Sequence, residues 1–240
     1  MRGLSDTPQV VLLVGGRGTR LRPLTDDLPK CLAPVGGRPF LEYVIELYAR
    51  QGIRDLALCS GYLAERIVDA VGNGSRWGVT IQHSIEPAPL GTIGALRYAA
   101  AVLHETFVLS YGDIYPAMPV ARLIEKSRTV EQPAVMTVAP ADDGDTSIAH
   151  GRITAYEKGA SAGTHSWTEC GMLALERRLL FEHDSTDENG FYGWLARTGR
   201  IAALIDDRHW LEIGDVRGYQ EFCMVVAAGL LPGPPATPQA

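Results

Sequence analysis

The apolar run Val10 to Val14 empties into a loop carrying Gly15, Gly16 and Gly18, and five cations follow: Arg17, Arg20, Arg22, Lys30 and Arg38. Glycines there let backbone N–H groups turn outward and form a concave nest for anionic oxygens. Between Gly15 and Arg38 the acids are Asp26 and Asp27, whereas the chain as a whole carries a net charge of −6. That local reversal of sign points to a phosphate-rich ligand. The loop is not a P-loop, because no Gly-Lys-Ser/Thr closes it. It is not a dinucleotide fingerprint either, since Leu21 stands where the third glycine belongs.

Such a nest must be held by a sheet, and the hydrophobic pattern supplies one. Strands are predicted at Val10–Val14, Asp55–Ser60, Thr80–Ser84, Phe107–Ser110 and Ala134–Ala139. Helices are predicted at Phe40–Gln51, Ala64–Val71, Thr92–Leu103 and Val120–Ser127. This alternation implies parallel strands joined by right-handed crossovers. After residue 140 the rhythm changes: Gly151–Tyr156 and Thr168–Leu175 read as strands without a crossover helix, and Asp215–Ala228 as a closing helix. The expected fold is α/β, a Rossmann-like, mostly parallel sheet flanked by helices, with a small antiparallel layer from the second half. Ligands in such sheets lie beyond the carboxyl ends of the strands, which puts Gly15–Arg20, Ser84–Gly91 and Ser110–Asp113 on one rim.

The 240 residues suit one large domain, expected over 1–230, with 231–240 (LPGPPATPQA) as a flexible tail. The acidic balance argues against nucleic-acid binding, the apolar runs are too short for a membrane span, and the N-terminus lacks a signal-peptide core. Cys31, Cys59, Cys170 and Cys223 form no CxxC pair, so reduced thiols in a cytoplasmic enzyme are expected. Oligomeric state is left open, a homo-oligomer included.

Three segments in order, Gly16 to Thr25, Pro29-Lys30 and Pro34 to Tyr43, resemble the opening of the sugar-1-phosphate nucleotidyltransferases: G-x-G-T-R-L-x-P-L-T, P-K, then P-V-x-G-x-P-x-L-E-Y. The resemblance implies transfer of a nucleoside monophosphate to a sugar 1-phosphate, with Mg²⁺. The nucleophile is already anionic, so the chemistry asks for positioning and charge neutralisation rather than a general base. By the family's pattern Arg20 holds the β- and γ-phosphates, Lys30 the α-phosphate and Lys158 the sugar phosphate. Val14, Gly15, Gly16, Gly18, Thr19, Glu86, Pro89, Gly91 and Thr92 would bind the nucleotide, and Gly112, Glu157 and Glu169 the sugar. Residues 8–140 would then form a nucleotide half and 141–230 a sugar half.

Asp113, in Ser110-Tyr111-Gly112-Asp113, matches the family's first metal aspartate, with Tyr111 in place of the usual polar residue. The second should come from a W/Y-x-D-x-G element, here Trp210-Leu211-Glu212-Ile213-Gly214. Glutamate adds a methylene, so the metal or backbone must shift to suit Glu212, the expected ligand, or Asp215 serves instead. Glu169-Cys170-Gly171-Met172 departs from the family's N-x-G element.

Glu86 to Thr92 resembles the E-x-x-P-L-G-T segment of guanylyltransferases acting on heptose 1-phosphate and mannose 1-phosphate. Guanine offers N1–H and N2–H₂ side by side, which one carboxylate accepts as a pair. GTP and a heptose 1-phosphate are therefore the expected substrates. The alternatives are uridylyl or thymidylyl transfer to a hexose or aminosugar 1-phosphate, and a catalytically silent homologue that is regulatory or senses sugar nucleotides.

Overall fold

The computed structural model describes residues 8–208 and 210–231. The strands, in chain order, are β1 (Gln9–Leu13), the short hairpin β2 (Pro34–Val35) and β3 (Arg38–Pro39), β4 (Asp55–Ser60), β5 (Thr80–Ile85), β6 (Thr106–Tyr111), β7 (Ile114–Tyr115), β8 (Ala134–Pro140), β9 (Thr146–Ala149), β10 (Arg152–Tyr156), β11 (Trp167–Glu176), β12 (Ile201–Ile205) and β13 (Leu211–Glu212). The α-helices are α1 (Phe40–Arg50), α2 (Ala64–Val71), α3 (Thr92–Tyr98), α4 (Val120–Thr129), α5 (Glu188–Arg197) and α6 (Val216–Ala227).

One nine-stranded sheet runs β5-β4-β1-β6-β11-β8-β12-β10-β9. β5, β4, β1 and β6 are mutually parallel, as the crossover pattern predicts, and β8 is parallel to β12. β11 runs antiparallel to both β6 and β8, and β10 antiparallel to β9 and β12. The antiparallel strands of the second half thus lie in the same sheet as the first half. A separate two-stranded piece, β7 with β13, stands beside it.

Pleating divides the core. Val10 and Leu12 of β1 face a cluster with Phe40, Val44, Ile67, Leu123 and Phe222, while Val11 faces Ile93, Leu96, Phe191 and Leu195. Helices α1, α2, α4 and α6 therefore cover one face, and α3 and α5 the other. Phe222 of α6 packs edge-on against Phe40 at 4.7 Å between ring centroids.

Three departures from the sequence reading bear on the site. The expected helix Thr92–Leu103 is α-helical only to Tyr98 and tightens to a 3₁₀ turn at Ala99–Ala101 before β6. β9, β12 and α5 have no counterpart in the predicted elements. The expected tail, 231–240, lies outside the described residues apart from Leu231, which packs against the core.

Candidate active site

The carboxyl ends of β1, β4, β5 and β6 open onto a cavity of about 440 Å³. Thirteen of the residues singled out from the sequence line it: Val14, Gly15, Gly16, Gly18, Thr19, Arg20, Lys30, Glu86, Pro89, Gly91, Thr92, Gly112 and Asp113. The three rim segments do converge. Lys158, Glu157, Glu169 and Glu212 are not on its wall.

The loop after β1 is built on Lys30. Gly18 adopts φ 66°, a left-handed turn that an L side chain enters at a cost, and its α-carbon faces the stem of Lys30. The Thr25 hydroxyl donates to Gly18 O at 2.6 Å, and the Lys30 amide to Gly16 O at 3.3 Å. The five cations do not act together. Arg38 donates to Glu46 at 2.5 Å and to Glu42 at 3.1 Å, and Arg22 pairs with Asp26 at 3.2 Å. Arg17 stacks over the Tyr62 ring at 5.3 Å. The positive charge on the cavity wall comes from Arg20, which is exposed, and Lys30, which is buried.

Lys30 Nζ is ion-paired with Asp113. The β7–β13 pair brings Glu212 alongside: Glu212 stands opposite Ile114, and the Ile213 amide donates to Asp113 O at 2.9 Å. Burial, then the charge of Asp113, pushes the Glu212 carboxyl above its ordinary range, with Lys30 and Arg20 opposing. Asp215 is otherwise engaged. It caps α6 by accepting the Gly218 amide at 3.0 Å, a bond that holds its carboxyl below the usual range.

Beyond Thr92 lies a second cluster. Lys158 Nζ pairs with Glu188 at 2.8 Å, and Glu188 also accepts from the Thr92 hydroxyl at 3.3 Å. Asn189 Oδ1 accepts the Lys158 amide at 2.6 Å. Glu169 accepts the Gly171 amide at 2.6 Å, and burial, with Glu188 and Asp145 adding to it against Lys158, pushes its carboxyl up to about 8. The Tyr111 and Tyr192 hydroxyls are 3.1 Å apart, so the residue that departs from the family pattern is tied to α5. Glu157 is exposed, 4.0 Å from His165 Nε2. Cys31 and Cys59 line the cavity, but burial pushes both thiols up to about 12, so neither is a nucleophile.

Residues 9–164 match the nucleotidyl transferase family. The D-glycero-α-D-manno-heptose 1-phosphate guanylyltransferase of Aneurinibacillus thermoaerophilus is 30% identical over 224 residues, 89% of this chain and 96% of that enzyme. The chain belongs to the nucleotidyl transferase family. A mannose-1-phosphate guanylyltransferase of Mycobacterium tuberculosis is 26% identical over 93% of this chain, which spans 66% of that longer enzyme. Among solved structures, HddC from Yersinia pseudotuberculosis complexed with GMP-PN superposes with a TM-score of 0.78 at 26% identity, covering 92% of this chain and 100% of that one. The resemblance read from residues 10–43 is borne out, and so is the expected fold.

A divalent cation is the cofactor that this nucleotidyl transferase site invites. Asp113 and Glu212 offer hard oxygen donors, and the burial and Asp113 charge that together raise Glu212 disfavour its ionised form, which a bound cation would restore. Among the described residues no group of three or more His, Cys, Asp or Glu is arranged to hold a metal. Two carboxylates with substrate phosphates and water completing the shell suit a hard cation. Sequence reasoning missed Glu188, which lines the cavity, and Asn189. The signal was Asp187, an N-cap ahead of the apolar Phe191, Trp194 and Leu195.

Proposed function

We propose that this nucleotidyl transferase moves GMP from GTP to a sugar 1-phosphate, a heptose 1-phosphate foremost, releasing pyrophosphate. An anionic oxygen of the sugar phosphate attacks the α-phosphorus in line, the bond to the bridging oxygen breaks, and pyrophosphate carries the electron pair away. Arg20 takes the leaving phosphates, Lys30 the α-phosphate and Lys158 the sugar phosphate. Glu157, Glu169 and Gly112 face the sugar. Asp113 and Glu212 would hold Mg²⁺, which supplies charge neutralisation between the phosphates. Residues 8–140 serve the nucleotide and 141–230 the sugar, within one domain. No helix among the described residues is long and apolar enough to cross a membrane; we assign the enzyme to the cytoplasm.

The observation that carries the guanine assignment is the setting of Glu86. One carboxylate oxygen accepts the Leu90 amide at 3.2 Å, while the other faces Gly15 and Gly61 at the cavity wall. A carboxylate oxygen has two lone pairs, so Oε2 keeps one beside the free Oε1, and the pair can still accept N1–H and N2–H₂ of guanine. The heptose assignment draws on the Aneurinibacillus thermoaerophilus relative, whose length this chain nearly spans. Glu86→Gln tests it: the preference for GTP over UTP should fall at least tenfold, by about 1.4 kcal/mol of discrimination. An unchanged preference would remove Glu86 from base recognition.

A further inference from the structure

Glu188 joins the cavity wall to the lysine that lies beyond it. It opens α5, whose N-cap Asp187 accepts the Gly190 amide at 2.8 Å. Its side chain, 14% exposed, lies against both elements that the transfer must bring together. Oε2 is 2.8 Å from Lys158 Nζ, and Oε1 accepts from the Thr92 hydroxyl at 3.3 Å. The next residue clasps the same lysine by its backbone: Asn189 accepts the Lys158 amide at 2.6 Å and donates to the Lys158 carbonyl at 3.1 Å. The approach to α5 is fixed in turn by Arg97, which donates to Ser185 O at 2.8 Å and Leu180 O at 2.5 Å.

A lysine ammonium is a point charge with three donors on a flexible stem that loses rotamer freedom when held. Glu188 takes one donor and leaves two for phosphate oxygens. Because the same carboxylate is bonded to Thr92, the lysine is held at a fixed distance from the nucleotide wall. Attack at phosphorus requires the reacting atoms within about 3–3.5 Å before bond formation, so that distance matters to the reaction.

We infer that Glu188 is a positioning residue: it fixes Lys158 Nζ relative to Thr92 and so sets where the sugar phosphate lies against the nucleotide. The inference rests on Lys158 as the sugar-phosphate ligand. Glu188 acts through Lys158, and its removal frees the ammonium without removing it.

The experiment is steady-state kinetics of Glu188→Gln, Lys158→Ala and the double variant, with GTP and the sugar 1-phosphate that the native enzyme uses best, alongside melting temperatures. Glu188→Gln should raise KM for the sugar phosphate about tenfold and leave KM for GTP within about twofold. In the Lys158→Ala background the same change should add less than about twofold, since nothing remains to position. Glu188→Asp, which keeps the charge, should show the same split in milder form and serves if the glutamine variant does not fold. Equal rises in both KM values, or full additivity with Lys158→Ala, would overturn the inference while leaving Lys158 in its role. An unchanged sugar-phosphate KM in Lys158→Ala would overturn both.

Discussion

Lys30 and Asp113, 83 residues apart in sequence, form an ion pair at the floor of the cavity, and the lysine side chain is only 11% exposed. The same ammonium and carboxylate act in opposite senses on Glu212, so on the proposed reading Lys30 stands between the phosphates and the cation site. Lys30→Ala leaves two neighbouring acids without their counter-ion. Pyrophosphate release should fall by a factor of about a hundred or more at saturating substrates, the scale expected for a preorganised charge acting on the transition state. A near-normal rate would exclude Lys30 from that role.

Glu212 and Asp215 separate cleanly. Because Asp215 caps α6, Asp215→Ala should lose about 1 kcal/mol of stability with turnover within about twofold of native. Glu212→Gln should raise the Mg²⁺ concentration for half-maximal activity at least tenfold while the melting temperature holds or rises, because a carboxylate disfavoured first by burial and then by Asp113 has been neutralised. Titrating Mg²⁺ against each variant checks both. The reverse pattern would make Asp215 the ligand.

Glu169 imposes a pH dependence of defined sign. Its folded-state value, about 8, lies above the 4.5 of an ordinary glutamate, so between those values the folded chain binds more protons than the unfolded one. Stability from this group therefore declines as pH rises from about 4.5 to 8 and is flat beyond. Glu169→Gln removes the titration. Its melting temperature relative to the native chain should climb across that window and converge with it at low pH. A constant difference would mean that Glu169 is ionised throughout.

Gly61 leaves room for the Glu86 side chain, which the proposed reading assigns to the base. A Cβ there would come within 2.8 Å of the Glu86 carboxylate. Gly61→Ala should displace that flexible carboxylate at modest cost in stability and raise KM for GTP several-fold, with KM for the sugar phosphate unchanged. Parallel kinetics in the two substrates would show this, and equal effects on both would point to a general distortion of the rim.

What the sequence made legible follows from the range of each interaction. The glycine loop, Glu86 and Asp113 each stand at the end of a strand that the sequence predicts, so a local pattern places them on one rim. The pairing of Glu212 with Asp113 depends on β7 meeting β13 across the chain, and two-residue strands carry no periodic signal. Helix α5 was hidden because Gly190 and Gly193 lower its intrinsic propensity, although Gly193 lies against Arg197 and the Tyr156 carbonyl, where a side chain has little room. With α5 went Glu188. The basic stretch misled in one respect, since Arg22 and Arg38 answer local acids rather than phosphate. Local composition reports how much charge is present; only packing decides where it points.

The most direct test of the account is pyrophosphate release with Mg²⁺ and each of GTP, UTP, dTTP, CTP and ATP, against heptose, mannose and glucose 1-phosphates. Release with GTP, strongest with heptose 1-phosphate, is the predicted result. Release with UTP or dTTP at the rate of GTP would contradict the reading of Glu86, and silence with every pair would contradict the assignment of the cavity as a GMP-transfer site.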